Sequence, residues 1–370
     1  MSGPLEGVRV VDMATIVAGP GAARHMADFG AQVTKVEPPG GDSLRRLGWI
    51  PANGDPDSYY WKLVGRNKDL VTLDLKTEEG HSALLELIDN ADLLVENMRP
   101  GKLERLGLGP DVLLARRPQL VILRVTAFGQ EGPYASRPGF ASLAEAMSGY
   151  AEISGDPGGK PHLPPVALTD EVTAMAATFS AMTALWHARA TGVGQVVEVN
   201  LLEVISHVMG PLPAASAHLG YEQPKLSGGI PYSVPRGSYE CADGKWIAQS
   251  NSSDRLAART MALLGVEDDF RFATNAERIT HREELEALME AWCQARTQAE
   301  ALAELEAADV AAAPIYSVGE LRADLHAVET DLFVEVDGVV QQRPLARLSE
   351  TPPEVRHIGQ PFPASSAPSS

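Results

Sequence analysis

Asp170 sits where a carboxylate can do chemistry. It follows the loop Leu163-Pro164-Pro165-Val166-Ala167-Leu168-Thr169 and directly precedes a long apolar stretch without Gly or Pro. An acid at a helix start accepts free amide hydrogens and meets the positive end of the helix dipole, so a capping role would account for it. The same setting suits a nucleophile, because those amides could stabilise a developing oxyanion. The residues alone leave both roles open. Other chemistries lack their patterns. The nine histidines are scattered, with no H-E-x-x-H and no paired Cys-x-x-Cys, so no metal site is expected. There is no G-x-S-x-G elbow and no Walker-type G-x-x-x-x-G-K. Gly19 and Gly21 do not complete a G-x-G-x-x-G fingerprint, so a nicotinamide cofactor has no signature here.

The elements that must carry Asp170 alternate. Val8 to Met13 is an apolar run suited to a buried strand, Ala18-Gly19-Pro20-Gly21 breaks it, and Ala22 to Phe29 has helical spacing. Gln32 to Val36 returns as a strand, which completes a parallel βαβ pattern. Leu70 to Leu75 and Asp92 to Glu96 are strand-like around a helical His81 to Ile88, and Gln119 to Val125 adds another strand. Asp170 to Ala190 predicts a helix buried on most sides, and Gln195 to Val199 a strand after it. The expected fold class is therefore α/β, a parallel sheet with helices on both faces. From Pro211 to Pro235 prolines and glycines cluster as in a linker. Beyond it, Asp243-Gly244 and Asp337-Gly338 mark hairpins, and residues 282 to 308 alternate Leu, Ala and Glu at helical spacing. The division expected is 1–210 for the first part of a large domain and 211–235 for the linker. A small domain then spans 236–328, the chain returns to the large domain over 329–361, and 362–370 form a disordered tail.

Composition narrows the function. The 370 residues carry 31 Lys+Arg against 49 Asp+Glu, a net charge of −18, which argues against a nucleic-acid surface. Between Gly265 and Glu335 stand 17 acidic and 5 basic residues, whereas the first 105 residues hold 16 and 12. An anionic ligand is thus expected on the N-terminal portion. No apolar run reaches about eighteen residues, so no membrane span is expected. Cys241 and Cys293 make no disulfide framework, and no signal peptide is evident, which points to the cytoplasm.

Longer motifs add a resemblance. The opening P-L-E-G-V-R-V-V-D-M, then A-G-P, D-F-G-A-Q-V-T-K-V-E-P-P-G-G-D and L-D-L-K-T-E-E-G, resemble family III coenzyme A-transferases of the CaiB/BaiF type. So do A-D-L-L-V-E-N-M-R-P-G, F-G-Q-E-G-P and A-T-G-V-G-Q-V-V-E-V, in order along nearly the whole chain. The resemblance implies a Rossmann-like large domain built from both chain ends, a smaller central domain, and an interlocked dimer. It implies transfer of CoA from an acyl-CoA donor to a carboxylic acid acceptor, with Asp170 as the nucleophile that forms an aspartyl anhydride and then an aspartyl-CoA thioester. CoA is substrate and product, and no other cofactor is implied.

By match to the family, the CoA site comprises Val17, Ala18, Leu73, Lys76, Asn97, Met98, Arg99, Arg105 and Phe140, with Lys76, Arg99 and Arg105 as phosphate partners. The racemases of this family place a histidine where this chain has Phe140, which has no proton to exchange. His162 reads as a surface loop residue rather than its substitute. Val17 and Pro38 also depart from residues that some members carry there, and Ser227-Gly228-Gly229-Ile230 is the nearest counterpart of a glycine lid. Two alternatives stay open beside a homodimeric transferase: a racemase or epimerase of the same fold, and a non-catalytic subunit paired with a paralogue.

Overall fold

The computed structural model of the chain describes residues 3–251 and 253–362. Its main sheet consists of β1 (Arg9–Asp12), β2 (Gln32–Glu37), β3 (Lys68–Thr72), β4 (Leu93–Glu96), β5 (Val121–Thr126) and β6 (Val196–Asn200). The strands lie in the order β3-β2-β1-β4-β5-β6, every pair parallel. The winding reverses between β1 and β4, so loops leaving their carboxyl ends diverge and open a crevice. Leu93, Leu94, Val95, Val121, Ile122 and Leu123 are all buried, as expected for strands covered on both faces.

Three helices matter for the site: α1 (Ala18–Asp28), α2 (Glu78–Asp89) and α3 (Leu168–Thr191). The break expected at Ala18-Gly19-Pro20-Gly21 is instead the first turn of α1. Pro20 is tolerated there because that turn leaves its amide positions unbonded. The glycines serve packing. A Cβ on Gly19 would stand 2.6 Å from the Ala14 Cβ, and one on Gly21 2.9 Å from that of Ala174. In α2, Thr77 caps the first turn by accepting from the Gly80 amide, and Leu84 and Ile88 join Leu94, Leu113 and Ile122 in one core.

Helix α3 packs along α1 through small residues, with Thr173, Ala174, Ala177 and Ala181 buried. It is not buried on most sides as expected. Phe179 is 74% exposed and Trp186 78%. Close approach of two helices selects small side chains for the contact, and the large apolar residues fall on the opposite face.

The described residues form two compact units, one from residues 3–148, Pro164–Gly210 and residues 326–362, the other from Gly149–Leu163 and the described part of Pro211–Leu325. The second holds an antiparallel sheet of Arg236–Glu240, Trp246–Ser250 and Ala312–Pro314. Its core gathers Tyr239, Ile247, Met289, Trp292 and Leu305 with the free, buried Cys241 and Cys293. The helical pattern over 282–308 forms two helices, Arg282–Gln294 and Gln298–Ala307, because Thr297 and Glu300 build a capping box that starts the second. The stretch 211–235, read as linker, includes the helix Leu212–Leu219. The Asp337-Gly338 turn joins Phe333–Val336 to Val339–Gln342, both turn residues at positive φ. Of the tail expected at 362–370, residues 363–370 lie outside the described residues; the Phe362 ring lies 5.2 Å from the Arg45 guanidinium. Among the described residues no helix is long and apolar enough to cross a membrane.

Candidate active site

The loops after β1 and β4 line a cavity of about 220 Å³ together with the start of α3. Around it stand Val17, Ala18, Asn97, Met98, Arg99, Phe140 and Asp170, along with Arg137 and Leu201. Seven of the ten residues expected at the site are thus brought together. Leu73, Lys76 and Arg105 are not in the lining. Leu73 packs on the core beneath α2, while Lys76 and Arg105 are exposed. Both follow carboxyl ends of strands, on the side of the sheet from which the cavity opens. Arg137 was missed as a candidate although it stands only three residues before Phe140; its guanidinium stacks 3.8 Å over the Tyr134 ring. A larger recess of about 570 Å³ touches Trp49, Tyr60 and Glu171, but its cations are paired, Arg24 with Glu171 and Arg66 with Asp28. The switch-point cavity joins Asp170 to the strand ends.

Buried charges hold the loop after β1. Asp12 accepts from the Ala14 amide at 3.1 Å and from Lys68 Nζ, on β3, at 2.8 Å. Lys68 also donates to the Pro20 carbonyl at 2.7 Å, inside the first turn of α1. Complete burial lowers its pKa to about 8, against the opposing pull of Asp12. Lys35, on β2, donates to the Ala14 carbonyl and pairs with Asp42 at 3.1 Å. Charges so deep are tolerated because each has a counter-charge and hydrogen bonds.

A second set holds the turn after β4. Glu96 is fully buried, accepts from the Met98 amide at 2.7 Å and pairs with Arg124 at 2.7 Å. Burial pushes its pKa up, partly offset by Arg124. Asn97 then reaches across to the first loop. Its Oδ1 accepts from the Thr15 amide at 2.9 Å and its Nδ2 donates to the Thr15 carbonyl at 2.7 Å.

Asp170 is different. It lies in the first turn of α3 and, among the described residues, no side chain donates to its carboxylate. Its pKa is pushed up to about 6, first by burial and then by the negative charges of Glu145 and Glu171. Glu145 is buried in the helix Ala141–Met147 and accepts from Thr169 Oγ1 at 2.8 Å. Glu171 is held away by Arg24 at 2.9 Å. The result is a half-buried carboxylate whose lone pairs face a cavity and whose charge is not spent on a partner. His162 belongs to the other unit, where its ring covers Gly155.

The profile of CoA-transferase family III matches residues 5–363. The chain belongs to that family. This CoA-transferase is 36% identical over 368 residues to the beta subunit of a succinyl-CoA–L-malate CoA-transferase from Chloroflexus aurantiacus, covering 96% of this chain and 90% of the relative. It is 33% identical to a succinate–glutarate CoA-transferase from Agrobacterium fabrum, covering 90% and 85%. Among solved structures, a CaiB/BaiF family protein from Brucella suis superposes with a TM-score of 0.86 at 30% identity, covering 97% of this chain and 96% of that one. Rv3272 from Mycobacterium tuberculosis superposes at 0.83 and 32% identity, covering 95% and 96%. The CoA-transferase therefore shares its α/β architecture with the family across nearly its whole length.

Proposed function

We propose that this CoA-transferase moves CoA from an acyl-CoA to a carboxylic acid through covalent intermediates on Asp170. The observation that carries the reading is the unpaired, half-buried Asp170 carboxylate in the cavity at the β1/β4 switch point. An Asp170 oxygen attacks the donor thioester carbonyl; the C–S bond breaks, leaving an aspartyl–acyl anhydride and CoA thiolate. The thiolate attacks the Asp170 carbonyl, releasing the donor acid and leaving aspartyl-CoA thioester. An acceptor carboxylate then attacks that thioester, expelling thiolate and forming a second anhydride. Attack of the thiolate on the acyl carbonyl releases product acyl-CoA and restores Asp170. Holding CoA in place makes each return attack effectively unimolecular. Val17, Ala18, Asn97, Met98 and Phe140 would line the CoA arm, and Arg99 the phosphate path, with Leu73, Lys76 and Arg105 further along the same edge of the sheet.

The relatives' names make succinyl-CoA the first donor to test, with malate and glutarate as acceptors. The exposed apolar face of α3, Phe179 and Trp186, supports a dimer. Relatives named as alpha and beta subunits make pairing with a paralogue the alternative to a homodimer. Two free buried thiols suit the cytoplasm. Phe140, exposed in the cavity wall, supports transfer over racemisation, since it offers no proton.

The test is direct. The protein is incubated with succinyl-CoA, quenched with hydroxylamine or borohydride, and mapped by mass spectrometry. Modification at Asp170 is expected. Deuterium wash-in at the acyl α-carbon without modification would instead establish racemisation.

A further inference from the structure

We infer that Asn97 is a positioning residue: its carboxamide holds the loop after β1 in a conformation that its own sequence disfavours, and so fixes the cavity wall facing Asp170. The inference rests on the transferase reading for its kinetic consequence, and on geometry alone for the clamp. Asn97 bonds both main-chain groups of Thr15, accepting from the amide at 2.9 Å and donating to the carbonyl at 2.7 Å. Its donor and its acceptor are therefore engaged on the loop. The next residue, Ile16, has φ +69°. A β-branched side chain in the left-handed region is a steric outlier, and it persists only where the surroundings over-determine it.

The surroundings do so on three sides. Ahead of Thr15, Asp12 and Lys35 hold the Ala14 amide and carbonyl. Behind it, α1 begins at Ala18, and the Pro20 carbonyl is held by Lys68. The Ile16 side chain packs against the core of Val17, Leu44 and Val64. Only the Thr15–Ile16 step lies outside that buried net, and Asn97 closes it from β4, across the switch point. Thr15, Ile16, Val17 and Ala18 all line the cavity that holds Asp170. Release of the clamp would let Ile16 relax toward negative φ and swing this wall. A displacement of about 1 Å at such a wall is enough to cost on the order of 100-fold in rate.

Glycine adopts φ +69° without penalty, which gives a decisive test. Asn97→Ala is expected to lower kcat about 10- to 100-fold for succinyl-CoA and glutarate, with a smaller change in KM for the acyl-CoA. In an Ile16→Gly background, where the loop conformation needs no clamp, the same substitution is expected to cost less than about threefold. A residue that merely touched the ligand would raise KM equally in both backgrounds, and equal losses would overturn the inference. Amide hydrogen exchange supplies a readout independent of activity. Thr15 is exposed, yet its amide should exchange slowly in the wild type and in Asn97→Asp, which keeps an acceptor, and fast in Asn97→Ala. Fast exchange in the wild type would sink the clamp. A wild type that moves no CoA while the Thr15 amide stays protected would overturn the transferase reading and leave the clamp standing.

Discussion

Two sides of one cavity treat charge in opposite ways. On the β1/β4 side, Asp12, Lys35, Lys68, Glu96 and Arg124 are buried and each meets an opposite charge within 4 Å. On the α3 side, Asp170 has acids for neighbours and, among the described residues, no side-chain donor. In the first arrangement counter-charges offset part of the cost of burial, and the paired charges fix main chain. In the second, neighbouring acids add to that cost and no counter-charge occupies the carboxylate. A scaffold and the nucleophile proposed at Asp170 need these opposite treatments, and both border one cavity.

Removing one charge from each side should therefore give opposite results. Asp170→Asn is expected to lower kcat by about 10⁴-fold or more, because an amide cannot form the anhydride, while the thermal midpoint stays level or rises. Lys68→Met is expected to do the reverse. It leaves the buried Asp12 with only the more distant Lys35, at 3.9 Å, and breaking a buried pair costs up to about 3–5 kcal/mol of folding stability. Denaturant unfolding beside steady-state kinetics on both variants would break the comparison if Lys68→Met proved as stable as the wild type.

The sheet was legible because buried parallel strands read as short apolar runs between turn residues. The helix carrying Asp170 was legible because nothing interrupts it. What escaped the sequence depends on two distant segments meeting. Asp12, Lys35 and Lys68 look like surface charges until adjacent strands bring them together, and nothing at Ile16 signals a left-handed residue. Gly19 and Gly21 were read as breakers because glycine marks both turns and close contacts, and only their neighbours, Ala14 for Gly19 and Ala174 for Gly21, tell the two apart. Of the cations, Arg99 reached the cavity while Lys76 and Arg105 did not, since the motif fixes their place on the sheet edge but not their distance from the crevice. Arg137 was passed over because its segment was read for the neighbouring Phe140.

A titration sharpens the comparison further. The folded chain holds the Asp170 proton to about pH 6, against 3.8 for an ordinary aspartate. Its contribution to stability is thus full below pH 3.8 and is lost as pH rises through 6, whereas activity, which in the proposed mechanism needs the carboxylate, is expected to rise over the same window. Glu145→Gln removes one of the charges that raise this pKa, so the acid limb of kcat/KM should move to lower pH, by about half a unit to one unit. Glu171 is expected to matter less because Arg24 neutralises it. An unmoved limb would mean that burial alone sets the value.

The smallest effect belongs to the cavity mouth. Arg99 lines the cavity yet is exposed, and a cation in water gains little from an anion beside it. Arg99→Ala is accordingly expected to raise KM for acyl-CoA by about threefold to fivefold with kcat nearly unchanged, and the difference from wild type should shrink as salt screens the phosphates. A kcat loss matching that of Asn97→Ala would place Arg99 with the scaffold rather than the mouth. The buried Arg124 gives the contrast: it is paired with both Glu96 and Glu104, so Arg124→Ala should lower stability and kcat together, through the turn that carries Asn97.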